Sequence, residues 1–127
     1  MATRISSETD LKSIAAILHD ARFTADAVDF NAPAQTFNLK CWVSEPKRRE
    51  GTGFREWKGY RLSFIKVTDC KVNTREKVSY YELATIRFAA GDRRLNLVTH
   101  YGIEISLQVG ELNGALTEIS ETRAEWN

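Results

Sequence analysis

From residue 95 to 109 the chain alternates almost without a break. The odd positions are Leu95, Leu97, Thr99, Tyr101, Ile103, Ile105, Leu107 and Val109. Between them stand Asn96, Val98, His100, Gly102, Glu104, Ser106 and Gln108. A period of two sends successive side chains to opposite faces of a pleated strand, so this segment has one apolar and one polar face. It is either a single long strand or two strands bent near Gly102, where a missing side chain lets the backbone turn. Either way, the chain must build a sheet.

Shorter versions of the pattern fill most of the chain. Val28 and Phe30 lead to a turn at Asn31-Ala32-Pro33-Ala34-Gln35. Phe37, Leu39, Cys41 and Val43 then alternate with Asn38, Lys40 and Trp42, a half-buried strand. Residues 44–58 show no period and carry Pro46, Gly51 and Gly53, which reads as the longest loop. Leu62 and Phe64 lie in one phase and Ile65 and Val67 in the other, a slip that suggests a β-bulge. After a polar connection at 72–77, Val78, Tyr80, Ile86 and Phe88 share one face of a further strand, closed by Gly91-Asp92. Asn113-Gly114 has the composition of a type I′ hairpin, returning through Leu116 and Ile119. The tail from 120 to 127 has little to bury and is expected to fray.

A helix is expected only at the front, over residues 8–18. Ser6 and Ser7 are good N-caps, and Glu8 and Asp10 suit the positive end of the helix dipole. Leu11, Ile14, Ala15 and Leu18 form one apolar stripe. About seven strands with no helices between them exclude a doubly wound α/β fold. The expectation is an all-β, mainly antiparallel domain over 1–127. It would be a barrel-like or sandwich meander, with the helix stripe covering sheet residues such as Phe30 or Leu39.

The chain, at 127 residues, has the length of one domain, and a domain of this size buries roughly two-thirds of its unfolded surface. No apolar run approaches the roughly 20 residues of a membrane span, and MATRISSETD lacks the apolar stretch of a signal peptide. Cys41 and Cys70 are therefore read as reduced thiols of a cytoplasmic protein. Net charge is +1, but the charge is segregated. Residues 47–94 carry thirteen Lys/Arg against six Asp/Glu, residues 1–46 four against six, and residues 95–127 one against five. One region of the surface is expected to be basic.

That region has a specific content. Lys47, Arg48, Arg49, Arg55, Lys58 and Arg61 interleave with Phe54, Trp57 and Tyr60. Arg, Trp and Tyr are the preferred anchors of protein interfaces. Cations mixed with rings also suit single-stranded nucleic acid or another polyanion, charge for the backbone and rings for the bases. Glu45, Glu50 and Glu56 dilute the charge, and a nucleic-acid binder usually has a higher pI than this chain's. The alternative to both is a solvated loop whose aromatics fold back onto the sheet.

A second group is polar: His19, Asp20 and His100. A histidine at a helix C-terminus meets the negative end of the dipole, and an aspartate just beyond it commonly sets a turn through its own backbone. The turn is the preferred reading of His19-Asp20. The sharper one makes them metal ligands with Asp26 and Asp29, but neither an HExxH motif nor an EF-hand loop is present. His100 lies on the polar face of the long strand. Residues four apart on a strand are separated by roughly 13 Å, so Glu104 cannot pair with it and a partner must come from a neighbouring element. Cys41 reads as a core hydrophobe, and no CxxC motif, phosphate loop or nucleophile elbow occurs. The sequence offers no catalytic set, and no cofactor or metal is expected.

The order of a short helix, Leu18-His19-Asp20-Ala21, Val28-Asp29-Phe30 and a β-meander resembles a group of small uncharacterised bacterial all-β proteins. Their chains open with a Leu/Phe-His-Asp-Ala motif, and some are described as immunity proteins of polymorphic toxin systems. The resemblance covers about a dozen residues, and implies a protein-binding intracellular domain without catalytic residues. The expected function is thus a non-enzymatic binding domain with a protein partner. Polyanion binding through 47–61 is the alternative, and a hydrolase or metal-dependent activity at His19, Asp20 and His100 the second. An open sheet edge makes a homodimer a further expectation.

Overall fold

The sheet foreshadowed by the alternation has more strands than the sequence pattern shows. The structure, a computed structural model, describes residues 2–46 and 55–122, without the side chains at 45, 46, 55, 56, 121 and 122. In order come β1 (Ala2–Ile5), the helix α1 (Glu8–Ile17), β2 (Arg22–Phe23), a 3-10 turn (Ala25–Ala27) and β3 (Val28–Asn31). Then follow β4 (Thr36–Pro46), β5 (Arg55–Phe64), β6 (Val67–Thr74), β7 (Tyr81–Ala89), β8 (Arg94–Thr99), β9 (Ile103–Val109) and β10 (Gly114–Thr122). The protein is all-β with one short helix, and its strands pair antiparallel. The ten strands exceed the seven expected because β1 and β2, four and two residues long, are too short to show a period, and because the run through Leu62 and Val67 splits into β5 and β6, β6 taking in residues 72–74 of the expected polar connection.

The strand order is β1-β10-β5-β4-β2-β7-β8-β9-β6, with β3 added on β4, so the sheet is open between β1 and β6. It is nevertheless strongly curled. β5 and β6 lie far apart in that order, yet only Ile65 and Lys66 join them. Three peptide links span at most about 11 Å, so the β6 end must come back toward β5. Lys66 adopts φ 56°, and the corner is held by bonds from Ile65 N to Asn113 O, Val67 N to Gln35 O and Gly110 N to Lys66 O. The phase slip at 64–67 is therefore this corner; the bulge itself is one residue further on, where Val67 faces Val109 and Asp69 faces Gln108.

Inside the curl lies one apolar cluster fed by both halves of the sheet. Phe37, Leu39, Leu62 and Phe64 come from β4 and β5, and Leu95, Leu97, Ile105 and Leu107 from β8 and β9. The helix adds Leu11 and Ile14, with Leu18 just beyond its end, to the cluster that contains Leu39 and against which Phe30 packs. Its nearest strands are β7 and β1. The helix begins as expected. Ser7 Oγ, at the N-cap, accepts from Asp10 N at 3.1 Å, while Ser6 N donates to the Asp10 carboxylate at 3.0 Å, so the acid reaches one residue past the N–H that a capping box would use. The Ser6 backbone N–H, helped by the Ser7 and Ser6 hydroxyls, holds the Asp10 carboxyl below its usual range.

Four strand details correct the sequence reading. Residues 44–46 and 55–58 belong to β4 and β5, which pair from Phe37↔Phe64 to Pro46↔Arg55; residues 47–54 lie outside the described part. In β7 the residues facing the core are Tyr81, Leu83 and Ile86, because Ala84 is an extra residue between the pairs Leu83↔Thr99 and Thr85↔Val98 and reverses the phase. Asn113-Gly114 makes no hairpin: β9 ends at Val109 and β10 pairs with β1 and β5 instead. Gly114 is needed for close approach, since a Cβ there would sit 2.4 Å from Ser63 O and 2.6 Å from the Phe64 ring. Finally, β10 continues through Thr122, with residues 123–127 outside the described part. Among the described residues no helix is long and apolar enough to cross a membrane.

Candidate functional site

The two halves of the sheet are joined by the short stretch that follows the helix. Arg22 pairs with Trp42 of β4 on one side and Glu82 of β7 on the other, and Phe23 pairs with Tyr81. To bring the chain from the helix into this seam, Asp20 turns at φ 63°, a conformation that Asp tolerates better than most residues. Its N–H donates to Leu83 O at 2.8 Å, and Leu83 N–H donates back to Ala21 O at 2.9 Å. His19-Asp20 does turn the chain, but the Asp20 carboxylate bonds His100 and not its own backbone.

The turn also delivers side chains. His100 follows the last residue of β8, and its N–H donates to Glu82 O at 3.0 Å. The bend that carries it is tightly specified. Thr99 Oγ bonds the carbonyls of Tyr101, at 2.9 Å, and Ile103, and Gly102 turns at φ 93°. A Cβ on Gly102 would meet the Tyr81 ring at 2.9 Å and Glu76 O at 3.1 Å. The expected break near Gly102 is therefore the feature that places His100.

Across this junction His100 Nε2 lies 2.6 Å from Asp20 Oδ1. His19 Nε2 lies 3.7 Å from Asp20 Oδ2, and the two imidazole rings meet edge-on at 6.0 Å. The three polar residues named from sequence thus come together. Glu82, which the sequence did not single out, joins them: Asp20, Glu82 and His100 each offer a ligand atom within 4.8 Å of the other two. A link between Glu82 and His100 has no local sequence signal, since it is created by the pairing of β7 with β8. Asp26 and Asp29, considered as companions of His19, instead line a cleft of about 520 Å³ with Asn38, Lys40 and Arg61.

On the same face of the seam, Arg22 sits between two rings, 4.6 Å from the centroid of Trp57 and 4.3 Å from that of Tyr80. Its Nε is 3.6 Å from Glu82 Oε1. This explains why Trp42 and Trp57 are buried although they lie on the face opposite the apolar cluster. The seam covers them.

The basic and aromatic stretch is dispersed by the fold. Arg48 and Arg49 lie outside the described residues, as does the side chain of Arg55. Trp57, which an interaction surface over 47–61 would need exposed, is 3% exposed beneath Arg22. Lys58 pairs with Glu118 at 2.9 Å, Tyr60 packs on the core, and Arg61 lies in the cleft with Asp26 and Asp29. Alternation along β5 sends Trp57 and Arg61 to one face and Lys58 and Tyr60 to the other, so residues 57–61 do not make a single patch.

The histidine cluster is open to solvent, with side-chain exposures of 58% for His19, 57% for Asp20 and 44% for His100. An enzyme site usually recesses its reacting groups in a cleft, and the Asp26–Arg61 cleft contains none of these three residues. Comparison with protein-family models, with curated proteins and with solved structures finds no match to this chain.

Proposed function

We propose that the chain is a non-enzymatic binding domain that docks a protein partner on the surface built by the turn after α1 and the bend between β8 and β9. The observation that carries this reading is the pair of exposed apolar side chains flanking the histidine cluster. Ile17 is 44% exposed and Tyr101 54% exposed, each within three residues of His19, Asp20 or His100. A large aromatic beside charged and hydrogen-bonding groups is the usual make-up of an interface anchor. Both segments are held from below, by the Asp20–Leu83 and His100–Glu82 backbone bonds, so docking orders little additional chain. The Leu-His-Asp-Ala resemblance supports the same class of partner and a cytoplasmic setting, because the immunity proteins it evokes act by binding a toxin.

The test uses purified proteins encoded beside this chain's gene. Binding of each is measured by calorimetry to the wild type and to Ile17→Ser, Tyr101→Ser and Arg61→Ala. The expected result is one partner whose affinity falls about tenfold or more in the first two variants and is unchanged in Arg61→Ala. A partner indifferent to Ile17 and Tyr101 contradicts the assignment of this surface. Binding of single-stranded oligonucleotides with a steep salt dependence would favour the polyanion reading instead.

A further inference from the structure

We infer that Asp20, Glu82 and His100, with His19 beside them, form a binding site for a divalent transition-metal ion of the zinc type. This inference is independent of the docking reading, since a metal site stands whether or not a partner covers it.

Geometry comes first. The three ligand atoms lie within 4.8 Å of one another. Ligands of a tetrahedral zinc ion, each about 2.1 Å from the metal, are separated by about 3.4 Å. Small side-chain rotations close that difference, and the backbones that carry the side chains are already pinned to β7 by the Asp20–Leu83 and His100–Glu82 bonds. At 2.6 Å the His100–Asp20 contact is a hydrogen bond, and the ion would replace its proton.

The donor set is also selective. Carboxylates alone suit calcium or magnesium, whereas imidazole beside carboxylates suits zinc, iron or nickel. His19 adds a second, independent indication. Its Nδ1 is 3.1 Å from Ala84 O, and a carbonyl can only accept, so Nδ1 carries the hydrogen. In the neutral ring the lone pair is then on Nε2, which faces the Asp20 carboxylate at 3.7 Å. That nitrogen is placed to add to an ion held at the Asp20 carboxylate. An imidazole that gives its other N–H to a backbone carbonyl has the usual posture of a metal-bound histidine. Ala84 is available for this role because it is the bulged residue of β7. Arg22, 3.6 Å from Glu82 and flanked by Trp57 and Tyr80, holds the remaining carboxylate in place.

The experiment titrates the full chain, stripped with a chelator, with zinc chloride in a calorimeter. One ion per chain is expected for the wild type. His100→Ala and Glu82→Gln should each weaken binding at least about tenfold. Cys70→Ser, which removes the half-buried thiol, should leave it unchanged. Asp20→Asn provides a third site variant that tolerates the positive φ. Melting temperatures of the metal-free variants show that they fold. A wild type that takes up no zinc overturns the inference, as do folded site variants that bind like the wild type. Loss of binding in Cys70→Ser overturns it too, by moving the ion to the thiol.

Discussion

His100 Nε2 stands 2.6 Å from the Asp20 carboxylate although 80 residues separate the two in sequence. Neither residue is buried, so their contact adds little to the fold. Exposed ion pairs contribute well under 1 kcal/mol as a rule. Asp20→Asn and His100→Ala are therefore each expected to change the free energy of unfolding by less than about 1 kcal/mol in urea titrations. A loss of several kcal/mol in either variant would mean that the pair is structural.

The bend carrying His100 is a different matter. Gly102→Ala must hold an alanine at φ 93° and push its Cβ against Tyr81. The expected cost is about 1–3 kcal/mol, read as a shifted urea midpoint with unchanged slope. Tolerance of alanine at this position would contradict the geometry of the bend.

Much of this region is legible from sequence, and the illegible part has identifiable causes. The alternation from Leu95 to Val109 maps directly onto β8 and β9, with Leu95, Leu97, Ile105 and Leu107 inward as read. Cys41 is the buried core thiol that its neighbours on the strand indicate. The alternation puts Trp42 on the polar face, yet it is buried, because Arg22 and the seam cover the outer surface, and no local pattern reports which strand will pair across a seam. The face assignment of β7 failed at a single inserted residue, Ala84, since one bulge inverts every position after it. Glu82 carries no sequence signal for the same reason that Asp20 and His100 show none of their contact: chain-distant pairing decides their meeting.

The seam itself makes a prediction about stability. Phe23 is fully buried, with its ring centroid 5.7 Å from that of Tyr81, and Trp57 is buried against Arg22. Phe23→Ala and Trp57→Ala should each cost about 3–5 kcal/mol. Because the loss at Trp57 is one of folding, any binding defect of Trp57→Ala should track its unfolded fraction. A Trp57→Ala protein as stable as wild type would restore Trp57 as a surface anchor.

The two thiols should differ sharply. Burial pushes the Cys41 thiol from 9.0 up to about 12, while Cys70 is pushed up by partial burial and then by Asp69. Since the raised value belongs to the folded state, the unfolded chain ionises Cys41 first, and stability is lost as pH rises above 9.0 toward 12. In alkylation followed by mass spectrometry, native protein should label slowly at Cys70 and not at Cys41, with both labelled in denaturant. Rapid native labelling of Cys41 would contradict its place in the core.

The most direct measurement is a crystal of the zinc-loaded chain examined by anomalous scattering at the zinc edge. The account expects one strong peak about 2.0–2.2 Å from ligand atoms of Asp20, Glu82 and His100, at the junction of β2, β7 and the β8–β9 bend. A peak at Cys70, or no peak at this junction in protein soaked with zinc, would contradict it.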